Sequence, residues 1–340
     1  MSRIFLRGLG AVSPSGWTVA SLREALARGE PLPTKELLRP GWTKPLRVRQ
    51  VPAPTPRPMF MTHARLRRTS PISHYAVSAA LEALSADVEC PGGKLRLGVI
   101  FCVMSGCVNY SRRFYDEVLK DPATASPLLF PETVYNSPAS HLAALLGTTA
   151  INYTLVGDPG TFLHGIALAA DWLDDVRVDG VLVVGAEEMD WLTADSTRLF
   201  SHSAIVSDGA GALYLRREPD QSFNIELRAI SNPHLFTRNQ TRRQAVRRAR
   251  AELPDGAQLL CDGLHNTPRM DADEEAVWRD WPGARLSPKQ ILGEGFMAAS
   301  AWQCVAALDA LRQNQYAAAN VSVVGTNEQA IAAQFSRARG

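Results

Sequence analysis

The stretch INYTLVGDPGTFLHGIALAA, residues 151–170, constrains this chain more than any other. Ile151 to Val156 is a β-branched and aromatic run that reads as a short buried strand. Gly157-Asp158-Pro159-Gly160 is a sharp turn, and from Thr161 the apolar residues Leu163, Ile166, Ala167 and Ala170 fall on one helical face. A strand, a tight turn and a helix N-terminus lift the apex residue beside unpaired backbone N–H groups and the positive end of the helix dipole. A cysteine there would be activated as a thiolate. The apex residue is Gly157, which carries no side chain. The same residues also suit an ordinary strand-to-helix joint, and the rest of the chain decides between the two.

On either side, strands alternate with helices. Residues 3–6 read as a strand, 8–16 as a glycine-rich turn and 18–28 as a helix. Gly8-Leu9-Gly10 lacks the third glycine and the later acidic residue of a dinucleotide site. Residues 30–57, rich in proline and basic side chains, read as irregular loop. Helices are expected over 71–84, 112–120 and 137–146, the last stopped by Gly147, and strands over 97–102, 180–184 and 211–215. The pattern then restarts, with strands over 223–230, 258–261 and 321–324 and helices over 241–252, 271–280, 295–311 and 328–336. Two rounds of alternation predict an α/β protein of two similar halves, residues 1–217 and 218–340.

Composition narrows the function classes. A formal net charge of +2 gives no global pull toward nucleic acid. No apolar run is long enough to cross a bilayer, and the first residues hold no signal-peptide core. The five cysteines (Cys90, Cys102, Cys107, Cys261 and Cys304) form neither a CxxC pair nor a cluster with histidine. They are expected to be reduced and packed in a cytoplasmic protein, with no metal and no cofactor.

Six motifs in order carry a resemblance. They are RGLGAVSPSG near the N-terminus, RLRRTSPISHYAVSAALEAL over 65–84, SPLLFPETVYNSPASHLAALLG over 126–147 with Asn136 in register, VLVVGAEE over 181–188, SDGAGALYL over 207–215 and Gly325-Thr326-Asn327. Taken together they resemble the β-ketoacyl-acyl-carrier-protein synthases, which implies a thiolase-like fold of five layers, α-β-α-β-α. The family's chemistry needs a cysteine nucleophile and two histidines. The cysteine matches Gly157, because Gly160, Gly165 and Ala167 keep the family's spacing. The first histidine matches Gly263 in CDGLHNTP, with Thr267, Pro268, Asp271 and Glu274 fixing the register. The second matches Glu294 in KQILGEGFMAAS, where the family's lysine is retained as Lys289.

All three reactive positions thus differ from the family. An anionic Glu294 would oppose the build-up of negative charge, and a Lys289–Glu294 ion pair is the simplest way to satisfy it. Cys107, Asp158 and His265 are rescue candidates, Cys107 with His265 as a possible nucleophile–base pair; packed or surface roles are the alternative. Cys102 and His164 flank the same regions, and His74 and His141 read as structural. Ser322-Val323-Val324 stands where the family has an aromatic gate, and the segment between Glu188 and Ser207 is shorter than the family's loop.

The resemblance therefore implies a catalytically silent subunit of the chain-length-factor type. Such a subunit pairs with an active ketosynthase and works with an acyl carrier protein in fatty acid, polyketide or polyene biosynthesis. Carrier-protein docking would fall on Arg65, Arg67 and Arg68; the arginines of residues 242–250 form a second basic cluster. Two other readings are an acyl-thioester enzyme with a relocated site, and a non-catalytic homodimer that binds lipid or carrier protein. By the same resemblance, helix 137–146 and strand 151–156 build a dimer interface.

Overall fold

The computed structural model describes residues 3–85, 95–219, 224–326 and 328–338; Cys90 and Asn327 lie outside them. In chain order the elements of the first half are β1 (Ile4–Val12), α1 (Val19–Arg28), β2 (Lys35–Leu37), β3 (Leu46–Arg49), α2 (Pro71–Leu84), β4 (Leu97–Val103), α3 (Val108–Lys120), α4 (Ser137–Leu146), β5 (Asn152–Val156), α5 (Thr161–Asp174), β6 (Gly180–Glu187), α6 (Trp191–Thr197), β7 (Val206–Ser207) and β8 (Gly209–Arg216). The second half adds β9 (Ile225–Ile230), β10 (His234–Leu235), α7 (Arg242–Ala251), β11 (Leu259–Cys261), α8 (Pro268–Val277), β12 (Ala284–Leu286), α9 (Pro288–Leu292), α10 (Met297–Arg312), β13 (Ala318–Val324) and β14 (Gln329–Arg337).

The main sheet runs β12-β11-β13-β14-β9-β1-β8-β6-β4-β5, with β10 on β14. Its two ends repeat one pattern. From β1 outward, β8 and β6 are antiparallel steps, and β4 and β5 continue parallel to β6. From β9 outward, β14 and β13 are antiparallel steps, and β11 and β12 continue parallel to β13. Helices α5 and α10 lie between the two ends and touch strands of both; α2 covers one outer face and α7 the other. The result is five layers. The central layer is the largest apolar cluster and includes Phe162, Ile166, Trp172, Met297, Trp302 and Leu308.

Several local expectations are corrected. β1 extends through the supposed glycine-rich turn, which shrinks to Ser13–Gly16. A Cβ at Gly8 would lie 1.7 Å from the Ala83 carbonyl oxygen, and one at Gly10 1.8 Å from that of Ala79. Those glycines let α2 pack backbone to backbone against the strand. Residues 328–336 form β14, not a helix: pairing with β13 on one side and β9 on the other overrides alanine's helix preference. The loop expected over 30–57 contains β2 and β3. β5, expected to be buried, is the sheet's edge strand, with Tyr153 and Val156 about half exposed. Among the described residues no helix is long and apolar enough to cross a membrane.

Candidate functional site

β5 delivers the chain to Gly157, whose N–H donates to the Val103 carbonyl at 3.2 Å, and α5 begins four residues later. The apex space is not empty. A Cβ at Gly157 would lie 2.3 Å from the Thr161 hydroxyl oxygen. Next to it, Asp158 Oδ1 accepts from Gln329 Nε2 at 2.6 Å and from the Gly160 N–H at 3.0 Å. Gln329 also bonds His164 through its Oε1 at 2.9 Å, so one amide from β14 bridges Asp158 and His164. Burial pushes the Asp158 carboxyl above its usual range. A Cβ at Gly325 would sit 1.8 Å from Asp158 Oδ2, so a side chain there would displace the carboxyl from its place.

A second group gathers around Glu294, from the loop before α8 and from α9. His265 Nδ1 faces Asp271 Oδ1 at 3.1 Å, and its Nε2 faces Glu294 Oε2 in a short contact. Lys289 Nζ donates to the same Glu294 oxygen at 2.8 Å, which is the ion pair expected from sequence. The side chains of Lys289 and Glu294 are 1% and 3% exposed, so this pair is fully desolvated. Asp271 sits in the first turn of α8 and also accepts the backbone N–H groups of His265 and Thr267. That arrangement fixes the approach of the 262–267 loop. Lys289 comes from α9. Glu294 follows Gly293, whose φ of +94° only glycine adopts readily.

Burial opposes charge on all of these groups, yet opposite neighbours prevail. Burial disfavours the Glu294 anion, but Lys289 and His265 hold its carboxyl well below the ordinary range. Burial and Lys289 both oppose a protonated His265, and Glu294 and Asp271 outweigh them and raise its pKa. Asp271 is lowered: burial opposes the shift and the hydrogen bonds from His265 and Thr267 drive it. Basic groups and carboxylates alternate along the row Lys289, Glu294, His265, Asp271. With both ring nitrogens engaged, His265 has no free position for proton transfer to a substrate.

Gly263 lies against a separate buried carboxyl, Glu274, which accepts from Ser322 Oγ at 2.6 Å and from the Gly263 N–H at 3.2 Å. A Cβ at Gly263 would come within 3.1 Å of Glu274 Oε2. Burial raises the Glu274 carboxyl.

The structure joins Asp271, His265, Glu294 and Lys289, and separately Asp158, Gln329 and His164. It does not join Cys107 to His265. Cys107 is buried with Ile72, Val103 and Leu142, its thiol donates to the Val134 carbonyl at 3.9 Å, and burial pushes the thiol far up. Cys102 is likewise buried and raised. Arg65, Arg67 and Arg68 are exposed on the turn before α2. His74 bonds the Leu66 carbonyl and His141 bonds Glu132. Sequence reasoning missed the roles of Asp271, Gln329 and Thr161. For Asp271 the signal was its place six residues after His265, in the first turn of a helix. Among the described residues no cluster suits a metal ion.

One surface stands uncovered. α3 buries none of its residues and exposes Tyr115 and Leu119. Leu128, Phe130, Val134 and Tyr135 follow it, and Tyr153 and Val156 of β5 add the sheet edge. The pieces connect through the Phe114–Phe130 ring contact and the Asn152 side chain bonded to the Ala139 carbonyl. Exposed apolar side chains beside an open strand edge are features of the kind that another chain can cover.

Comparison with known proteins agrees with this architecture. The family model of 3-oxoacyl-[acyl-carrier-protein (ACP)] synthase III matches residues 159–232. No curated protein sequence matches the chain. The solved structure of the ishigamide ketosynthase/chain length factor is similar with a TM-score of 0.81 at 18% identity, covering 99% of this chain and 100% of that one. A β-ketoacyl synthase from Burkholderia phymatum gives 0.79 at 18% identity, with 100% of both chains covered. A ketosynthase in complex with its chain length factor from Xenorhabdus doucetiae gives 0.78 at 14% identity, covering 99% of this chain and 98% of that one. The chain has the thiolase fold of the ketosynthases. Within that fold it resembles structures that contain a ketosynthase with its chain length factor.

Proposed function

We propose that the chain is a catalytically silent ketosynthase-like subunit of the chain-length-factor type. It pairs with an active ketosynthase and acts on polyketide, polyene or fatty acyl chains carried by an acyl carrier protein. The observation that carries this reading is Gly157. The elbow is built, but its apex bears no nucleophile and the Thr161 hydroxyl fills the space beside it. Loss of one member of a nucleophilic constellation typically costs several powers of ten in rate. Gly263 and Glu294 remove the other two members. The uncovered face of α3, residues 128–135 and β5 supports pairing, because a second subunit of this fold would cover it and continue the sheet. The test is co-expression with an intact synthase, followed by co-purification and mass spectrometry of product length. Failure to co-purify, with no change in product length, would remove the reading.

Two results are expected at the surface. Val156→Asp, on the exposed edge of β5, should abolish co-purification while leaving the circular dichroism of the chain unchanged. A buried unpaired carboxylate at such an interface costs about 2–5 kcal/mol. Retention of the complex would place the partner elsewhere. Charge reversal at Arg67 and Arg68 should weaken carrier-protein binding on the order of tenfold at low salt and less at high salt. Calorimetric titration at two ionic strengths reads this, and equal affinities would exclude the site.

A second reading is relocated acyl-thioester chemistry, in which the Asp271–His265 pair would act as an oriented base once Glu294 releases His265 Nε2. Incubation with acyl-carrier protein and intact mass distinguishes the two: the silent subunit forms no acyl-enzyme, and a stoichiometric adduct favours relocated chemistry.

A further inference from the structure

Glu294 is held as a bound carboxylate would be. Its Oε2 accepts from the Lys289 ammonium at 2.8 Å and from His265 Nε2, and its Oε1 accepts from the Phe296 N–H at 2.6 Å. Each donor is positioned by something other than Glu294. Lys289 stands on α9, between Pro288 and the core residues Ile291 and Leu292. His265 is oriented by Asp271 through both its ring and its backbone N–H. Phe296 has φ +47°, a left-handed conformation unfavourable for a residue with a side chain. That conformation points its N–H at the carboxylate. Glu294's own backbone is tied independently, its N–H to the Ile205 carbonyl at 2.8 Å and its carbonyl to the Ser207 N–H at 2.9 Å. Truncating the side chain therefore leaves the backbone path and the donors in place.

A lysine ammonium, an imidazole nitrogen and an aimed N–H around two oxygens form an anion site of the kind that stabilises oxyanions. We infer that this is a carboxylate-binding cradle, filled in the resting chain by the chain's own Glu294, and that removing that side chain frees it for a small monocarboxylate such as formate. With Glu294 in place the cradle is self-blocked, and no substrate carboxylate or enolate can reach Lys289 and His265. Without it, Lys289 loses the carboxylate it pairs with while His265 keeps Asp271, and the unpaired ammonium draws an anion in. This inference needs no partner subunit and stands whether or not the pairing proposed above is correct.

The experiment compares thermal unfolding of the wild-type chain, Glu294→Ala, Glu294→Gln and the double variant Glu294→Ala/Lys289→Met in formate and in chloride at equal ionic strength. Glu294→Ala should melt lower than wild type by roughly 5 °C or more. Formate should raise its midpoint saturably, recovering about half of the loss. Wild type and Glu294→Gln, whose cradles are filled, should show no formate-specific rise, and the double variant should lose most of the response. Equal behaviour of Glu294→Ala in formate and chloride overturns the inference, as does an equal formate response in wild type. If Glu294→Ala does not accumulate as folded protein in chloride, the readout is the yield of folded chain refolded in each salt. A formate-dependent yield supports the cradle, and no folded protein in either salt rejects it.

Discussion

Gly157→Cys is expected to give the elbow a reactive thiol and still no condensing activity. Gly157 lies outside the left-handed region, so its backbone accepts a side chain; the obstacle is the Thr161 hydroxyl 2.3 Å from the new Cβ. A hydroxyl on a rotatable side chain can turn away, and the double variant with Thr161→Ala removes it. The new thiol would stand at the start of α5, near the positive end of the helix dipole. Four native cysteines provide little background: Cys102, Cys107, Cys261 and Cys304 are buried, and burial raises each thiol; Cys90, outside the described residues, is replaced by serine in both variants. Iodoacetamide under native conditions should label residue 157 stoichiometrically, as located by peptide mass. Condensation should stay on the order of 10³-fold or more below an active synthase, because Gly263 and Glu294 supply neither histidine function. Turnover within tenfold of such a synthase would show that silence rests on the missing thiol alone.

Lys289→Met is expected to destabilise the chain by about 3–5 kcal/mol near neutral pH, the usual cost of stranding one member of a buried ion pair. The pH dependence distinguishes this from simple loss of packing. Glu294's folded pKa is depressed, so its contribution is present above the unfolded value of about 4.3 and is lost as pH falls through the folded one. His265's folded pKa is raised, so its contribution is complete below about 6.5 and is lost as pH rises through the folded one. Lys289 attracts Glu294 and repels protonated His265. In acid His265 is protonated, and its repulsion of the lysine offsets part of the lysine's attraction to Glu294; in alkali, where His265 is neutral, that attraction is unopposed. The deficit should therefore grow from pH 4 to pH 9, as read from urea midpoints at constant ionic strength. A flat or shrinking deficit would contradict this electrostatic account.

The family motifs located the elbow, the CDGLHNTP loop and the KQILGEGF segment, and each occupies its expected place in the alternation. Contacts among them were less legible. His265 was visible as a near miss beside Gly263, but its union with Glu294 requires α8, α9 and the strand-like 205–207 segment to converge, and residue spacing carries no record of that. The misread elements share a cause. Gly8 and Gly10 look like turn residues until α2's carbonyls press on the strand. The alanines of β14 look helical until strands claim both of its edges. Tertiary packing overrode local preference in both cases. The bare side of α3 was invisible for a different reason: its periodicity predicts a helix but does not say that none of the described residues buries it.

Trp302 bears on how the site can move. Its indole N–H is shared between the Val12 and Ala210 carbonyls, 3.0 Å from each, while its ring fills the space beside Gly209 and Gly295. Gly295 is the residue after Glu294, and α10, which carries Trp302, starts two residues later. The segment bearing Glu294 is thus clamped to β1 and β8 by one side chain from the middle layer. Releasing the segment means withdrawing the Trp302 indole from the Val12 and Ala210 carbonyls at the centre of the sheet, which disfavours a local opening. Amide protons around residues 293–297 should therefore exchange only through global unfolding. Whatever this centre does, it does as a rigid fixture, and adaptability must come from the exposed elements around α3 and β5.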